Sequence, residues 1–135
     1  MIKFALPILT ALLPCILAAA DSAQIEQGKY LVEEVAKCGD CHTPMGEGGK
    51  PDTANALKGA MLTFQPVKEV KGWHKSAPGL TLSSRLWERW GDAGMLKFLT
   101  TGVNPNGHPA GPPMPMYKLK TADAEAIIAF LKSLP

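Results

Sequence analysis

Two cysteines three positions apart, with a histidine directly after the second, constrain this chain more than any other stretch of it: Cys38-Gly39-Asp40-Cys41-His42. At that spacing the two sulfurs lie nearly one helical turn apart and the imidazole follows at once. Behind an export leader, this is the pattern by which a haem is bonded to protein: the thiols add to the two vinyl groups on one porphyrin edge. The imidazole can then supply the proximal nitrogen to the iron. Cys38 and Cys41 are the expected attachment points and His42 the expected axial ligand. Other uses of the cluster fit less well. A thiol-disulfide redox site expects a βαβ pattern, which this chain lacks. Zinc normally needs a second ligand pair, but the remaining cysteine is Cys15, and His74 and His108 stand alone and far apart. A structural disulfide across so short a loop would be strained.

Export is read from residues 1–20. Lys3 supplies a positive start, Phe4 to Leu17 is nearly unbroken apolar sequence, and Ala18-Ala19-Ala20 offers a small-residue cleavage site. Pro7 and Pro14 weaken the alternative of a retained membrane anchor. Cys15 lacks the small neighbours of a lipidation site and leaves with the leader. The expected division is therefore a secretory signal over 1–20 and one domain over 21–135.

Removal of the leader takes away one lysine and leaves a formal charge of +1. Basic residues are neither in excess nor gathered on one helix face, so no nucleic-acid partner is expected. With 46% apolar residues over the whole chain and nine aromatics, a domain of this size has a thin core. A haem at its centre would offset that deficit, so the chain without haem is expected to fold poorly.

Helices separated by irregular segments fill the rest. A first helix is expected from Asp21 or Ser22, with Ile25, Gly28, Leu31, Val32 and Val35 at helical spacing. Gly28 costs a helix about 1 kcal/mol, which a close helix approach would explain. Thr121 caps a strong helix with the stripe Ala124, Ile127, Ile128, Leu131 and Leu134, whose natural partner is the first helix. A weaker helix spans Asp92 to Thr101 and stops at Gly102. Trp87 and Trp90 precede it, either closing the core or bringing an indole N–H to a haem propionate. Residues 43–82 show no sustained period, as expected of a segment wrapping a ligand.

The second axial ligand is sought in Gly111-Pro112-Pro113-Met114-Pro115-Met116-Tyr117. Prolines on both sides of Met114 deny it a helix and stiffen its support. A thioether favours ferrous iron and raises the reduction potential, which suits an electron carrier. Met116 is the rival in the same loop, and His108 could replace either, although Gly107-His108-Pro109 reads as a turn.

The chain resembles single-haem class I c-type cytochromes, specifically the bacterial group related to cytochrome subunits of membrane dehydrogenases. The matching residues are Gly28-Lys29-Tyr30-Leu31-Val32, Cys38 to Pro44, Ala77-Pro78-Gly79-Leu80-Thr81, Trp90-Gly91-Asp92, Thr101-Gly102-Val103, Pro112-Pro113-Met114-Pro115 and Ala129 to Pro135. The resemblance implies an all-α, cytochrome c-like fold with crossing N- and C-terminal helices around one covalently bound haem c and long irregular loops. It implies Cys38 and Cys41 as thioether attachments, His42 and Met114 as iron ligands, and the Pro78 carbonyl as acceptor from the unligated His42 nitrogen, with Trp90 a further neighbour. Those dehydrogenase subunits carry three haems and a C-terminal anchor, whereas this chain has one motif and no such segment.

The expected function is single-electron transfer in the periplasm, with no bond in a substrate broken and no stable membrane anchor after leader removal. The donor and acceptor would be redox proteins, such as a periplasmic or membrane dehydrogenase and a terminal oxidase. Lys50, Lys58, Lys68, Lys71 and Lys75 are candidates to surround the docking face. Two alternatives stay open: a haem enzyme or small-ligand sensor with a labile distal ligand, and an electron-transfer subunit of a dehydrogenase complex.

Overall fold

Helix α1 runs over Leu13–Tyr30, upstream of the expected start at Asp21 or Ser22. The alanine run Ala18-Ala19-Ala20 explains the difference, because alanine is the strongest helix former and leaves Asp21 and Ser22 as interior positions. The computed structural model describes residues 13–135, with side chains from residue 21 onward, so the expected leader lies outside the described side chains. No described helix is long and apolar enough to cross a membrane.

α1 passes directly into one wide turn over Leu31–Val35, where Ala36 N–H donates to the Leu31 carbonyl at 2.8 Å, five residues back. Cys38 N–H donates to the Val32 carbonyl at 3.0 Å, and Lys37 takes a left-handed conformation with φ of 50° between them. The chain therefore reverses at the helix end and delivers Cys38 to the start of the one-turn helix α2, Gly39–His42.

Two short 3-10 turns follow, Glu47–Gly49 and Thr53–Asn55. Strands β1, Ala60–Met61, and β2, Ser76–Ala77, pair antiparallel, with Ala60 opposite Ala77 and Met61 opposite Ser76. This small ladder turns residues 62–75 into a closed excursion, in a region expected to be irregular throughout.

Helix α3, Arg85–Thr101, contains a break at Gly91, whose φ of 57° and ψ of −172° are not helical. The segment after the break is the helix expected from Asp92. Trp87 and Leu86 lie on an additional turn before it, and Gly102 ends it in the left-handed conformation, donating to the Phe98 carbonyl at 2.8 Å. Helix α4, Thr121–Ser133, begins one residue earlier than expected: Lys120 is the extended flanking residue and Thr121 is already helical.

The core gathers Val32, Leu57, Leu80, Leu86, Trp87, Met95, Leu99, Ala124, Ile127, Ile128, Phe130 and Leu131. α4 buries more than its expected stripe, since Ala126 and Phe130 are also buried. The reason is Gly28. A Cβ at that position would run into the Ala126 carbonyl and come within 2.8 Å of the Phe130 Cβ, so α1 and α4 approach backbone to backbone. The N- and C-terminal helices thus pack as expected, and the glycine that weakens α1 is the condition of their contact. An exposed ion pair, Lys132 to Asp92 at 2.6 Å, links α4 to α3 and contributes at most about 1 kcal/mol.

Gly28→Ala is expected to lower stability by about 1–3 kcal/mol, because neither backbone can yield to the added methyl. Urea denaturation of the purified protein checks this, and an unchanged midpoint would contradict the close approach.

Candidate functional site

His42 is held on three sides. Its ring Nδ1 lies 2.7 Å from the Pro78 carbonyl oxygen, and because a carbonyl only accepts, Nδ1 carries the proton. Its own carbonyl accepts from Gly59 N–H at 2.8 Å. Next to it, the buried Thr43 hydroxyl oxygen accepts from Leu57 N–H at 3.0 Å. The imidazole is 5% exposed. With Nδ1 committed to a carbonyl, Nε2 is left as the basic nitrogen, the arrangement that orients and strengthens an iron-ligating histidine.

Two glycines make this geometry available. A Cβ on Gly59 would come within 2.8 Å of Gly79 N, and one on Gly79 within 2.9 Å of the Lys58 carbonyl. The two segments therefore cross with only hydrogen between them, and Leu80 N–H reaches the Leu57 carbonyl at 2.7 Å. Leu57 itself sits at φ of 58° while almost fully buried, a strained conformation held by its core contacts.

Burial sets the protonation of the cluster. It pushes the Cys38 thiol up to about 11. It also raises Cys41, where the Asp40 carboxylate adds to the effect. Thiol-disulfide catalysis needs a thiolate made easier to form, so raised thiols count against that chemistry. Burial lowers His42, opposed by the bond to Pro78, and the ring is kept neutral with its lone pair available.

The loop carrying Met114 folds back toward the same region. Tyr117 donates its hydroxyl to the Ala36 carbonyl at 3.1 Å, and its own ionisation is suppressed by burial and then by nearby Cys38 and Cys41. Met114 is half-buried and closes a turn, its N–H donating to the Gly111 carbonyl at 3.1 Å. Met116 is 52% exposed and its side chain rests on Gly102 at the end of α3. His108 is exposed on a turn, bonded through its backbone to Asn104.

Of the two roles open to Trp87 and Trp90, core closure is the one their packing shows. Trp87 donates its indole N–H to the Leu80 carbonyl at 2.7 Å and serves the core. Trp90 packs against Phe98 with the rings tilted by 52° and their centroids 5.1 Å apart. Trp73, not singled out by its sequence context, has a buried indole Nε1 with no acceptor among the described residues. Tyr117 and Trp73 were invisible because their roles depend on partners far away in sequence.

An uncharged buried imidazole beside two neutral thiols, with a methionine loop folded toward the same region, is an arrangement of side chains that could hold a metalloporphyrin through carbon–sulfur bonds. The sequence profile of the cytochrome c family matches residues 25–135, and the chain belongs to that family. It is a c-type cytochrome related to dehydrogenase cytochrome subunits, and its cofactor is covalently bound haem c. The chain is 31% identical over 115 residues to the fructose dehydrogenase cytochrome subunit of Gluconobacter japonicus, covering 81% of this chain and 22% of that protein. It is 33% identical over 115 residues to a diheme cytochrome c-type protein of Cereibacter sphaeroides, covering 82% and 35%. It is 31% identical over 119 residues to a subunit of nicotinate dehydrogenase from Pseudomonas putida, covering 84% and 9%. The chain thus spans about a third or less of the length of these relatives.

Two outcomes follow from the geometry around His42. Gly79→Ala is expected to drive Pro78 away from the ring, costing about 1–3 kcal/mol of stability and lowering the basicity of the free nitrogen. Urea titration and the reduction potential of the haem-loaded protein read the two effects. The second concerns pH. A histidine held below 6.5 in the folded chain contributes stability that is complete above 6.5 and lost as pH falls beneath it, because only the unfolded ring takes up the proton. In the chain without haem, unfolding free energy should therefore decline as pH falls below about 6.5, and an increase as pH falls would contradict the assignment.

Proposed function

We propose that this c-type cytochrome is a periplasmic single-electron carrier whose one haem is bonded to Cys38 and Cys41 and ligated by His42 and Met114. The observation that carries this reading is the buried His42 ring, fixed through Nδ1 to Pro78 at 2.7 Å within one turn of two free thiols. The side chains fit the group: two thiols can bond the vinyl carbons of the porphyrin, while one neutral imidazole nitrogen and one thioether can ligate its iron, the axial pair of a haem that carries electrons. The acceptor-less Trp73 indole fits as well, since a propionate oxygen would satisfy it.

Met114 is favoured over Met116 because Met116 is already seated against Gly102. When bound, the haem iron supplies the one-electron couple. The chain's own work is to hold the imidazole in one tautomer, exclude water from the ring and keep Met114 on a stiff turn. Residues 1–20 are read as a cleaved export leader, which places the domain at 21–135.

Electron transfer is the activity that the family supports. The relatives named as dehydrogenase components favour a dehydrogenase as electron donor, and equally support a second reading in which this chain is held in such a complex. Lys58, Lys68, Lys71 and Lys75 are exposed around the 62–75 excursion and suit an acidic docking surface on a redox partner.

The purified protein should be red, with a mass above that of bare polypeptide by one haem. Its ferrous form should bind carbon monoxide slowly at neutral pH. Met114→Ala should speed carbon monoxide binding by at least about tenfold and lower the reduction potential, whereas Met116→Ala should do neither. Fast binding by the unaltered protein would instead establish a haem enzyme or sensor with a labile distal ligand. Recovery in the native membrane fraction with a dehydrogenase would establish the complex-bound reading.

A further inference from the structure

His74 packs on the loop that carries Met114, although the two are 40 residues apart in sequence. Its backbone N–H donates to the Pro112 carbonyl at 2.8 Å. Its imidazole covers Gly111: a Cβ on that glycine would run into Nε2 and lie 2.7 Å from Cδ2, with the Gly72 carbonyl 3.4 Å away. Gly111 opens the turn that Met114 closes. His74 therefore bears on the base of that turn from outside, with its ring exposed to solvent.

The segment that holds His74 is itself fixed. Leu62 N–H donates to the Lys75 carbonyl at 2.9 Å, and β2 continues the ladder through Ser76 and Ala77. One residue further, Pro78 accepts the bond from the His42 ring. Within residues 74–78, then, one end grips the Met114 loop and the other grips the His42 imidazole. We infer that His74 is a positioning residue for the distal ligand, and that residues 74–78 form a single brace holding both axial ligands of the haem iron. The inference rests on the ligation by Met114 proposed above and goes beyond it, since it gives His74 a role through Gly111 and Pro112 and not as a ligand.

The steric fit between His74 and Gly111 supplies the test, made on the haem-loaded protein. His74→Ala keeps the backbone bond to Pro112 and removes only the ring. Gly111→Ala adds a methyl where the ring stands. Each single change is expected to weaken the long-wavelength absorption band of ferric iron bound to thioether. Each should also speed carbon monoxide binding by the ferrous protein about three- to tenfold. In the double variant the new methyl occupies the space the ring has left, and both readouts should return toward those of the unaltered protein. A role confined to folding would move thermal stability without moving the band at low temperature, and that result would overturn the inference. If both single variants keep the band and the carbon monoxide rate unchanged, or if their effects simply add in the double variant, the inference fails. Met114→Ala separates that failure from failure of the ligand assignment: loss of its band upholds Met114 whatever His74 does, and persistence of the band overturns both.

Discussion

The hydrogen bond from the buried His42 ring to the Pro78 carbonyl, 2.7 Å long, is the interaction around which the rest of the site is arranged. An imidazole in a dry interior is neutral, and a neutral imidazole can turn either nitrogen toward a metal. Committing Nδ1 to a carbonyl removes the choice and leaves Nε2 as the donor. That carbonyl reaches the ring only because two chain segments cross at Gly59 and Gly79 with no side chain between them. Leu57 lies in a left-handed conformation one position before Lys58, and its N–H is satisfied by Thr43. The local strain is thus placed beside the histidine and held by burial in the common core.

The helical frame determines where the cysteines emerge. α1 is pinned to α4 at Gly28, and the wide turn over Leu31–Val35 brings Val32 into the core before the reversal at Lys37. A regular helix continued to Cys38 would carry the two thiols on along the α1 axis, away from Pro78. The five-residue-back bond at Ala36 and the positive φ at Lys37 redirect the chain so that α2 starts at the core surface. Close helix packing and a defined exit from α1 are therefore linked requirements: a shift of α1 along α4 would move the thiols by the same amount.

Features governed by neighbours in sequence were legible from it. Cys38, Cys41 and His42 announce themselves by spacing, Gly102 by its place after an apolar periodic run, and Ile127, Ile128 and Leu131 by helical recurrence. Gly28 was legible as an anomaly, a helix-weakening residue with no local purpose. The Pro78 acceptor came through resemblance to known cytochromes, and the bond length then supplied its physical basis. Misplaced boundaries trace to local competition: alanines carried α1 past Asp21, and Lys120 took the cap position expected of Thr121. What remained hidden was non-local. Phe130 and Ala126 are buried because α1 has a glycine opposite them, and Tyr117 matters because its hydroxyl meets Ala36, 81 positions earlier. The unsatisfied indole of Trp73 and the ring of His74 over Gly111 likewise depend on contacts that no periodicity encodes.

The excursion over 62–75 shows how a fixed site and an adaptable surface can share one segment. Its interior edge is fixed by the β1–β2 ladder and by the bonds from Leu62 and His74. Its outer part is not: Val67 is fully exposed, and Lys68, Lys71 and Glu69 project into solvent. Side chains there can change without disturbing the bonds at the ends, because none of them takes part in those bonds. Residues 74–78 have no such latitude, since displacing them alters the setting of His42 and of the Met114 turn together. Side-chain variation is therefore tolerated at the tip, while the residues that set His42 and the Met114 turn are held by backbone geometry.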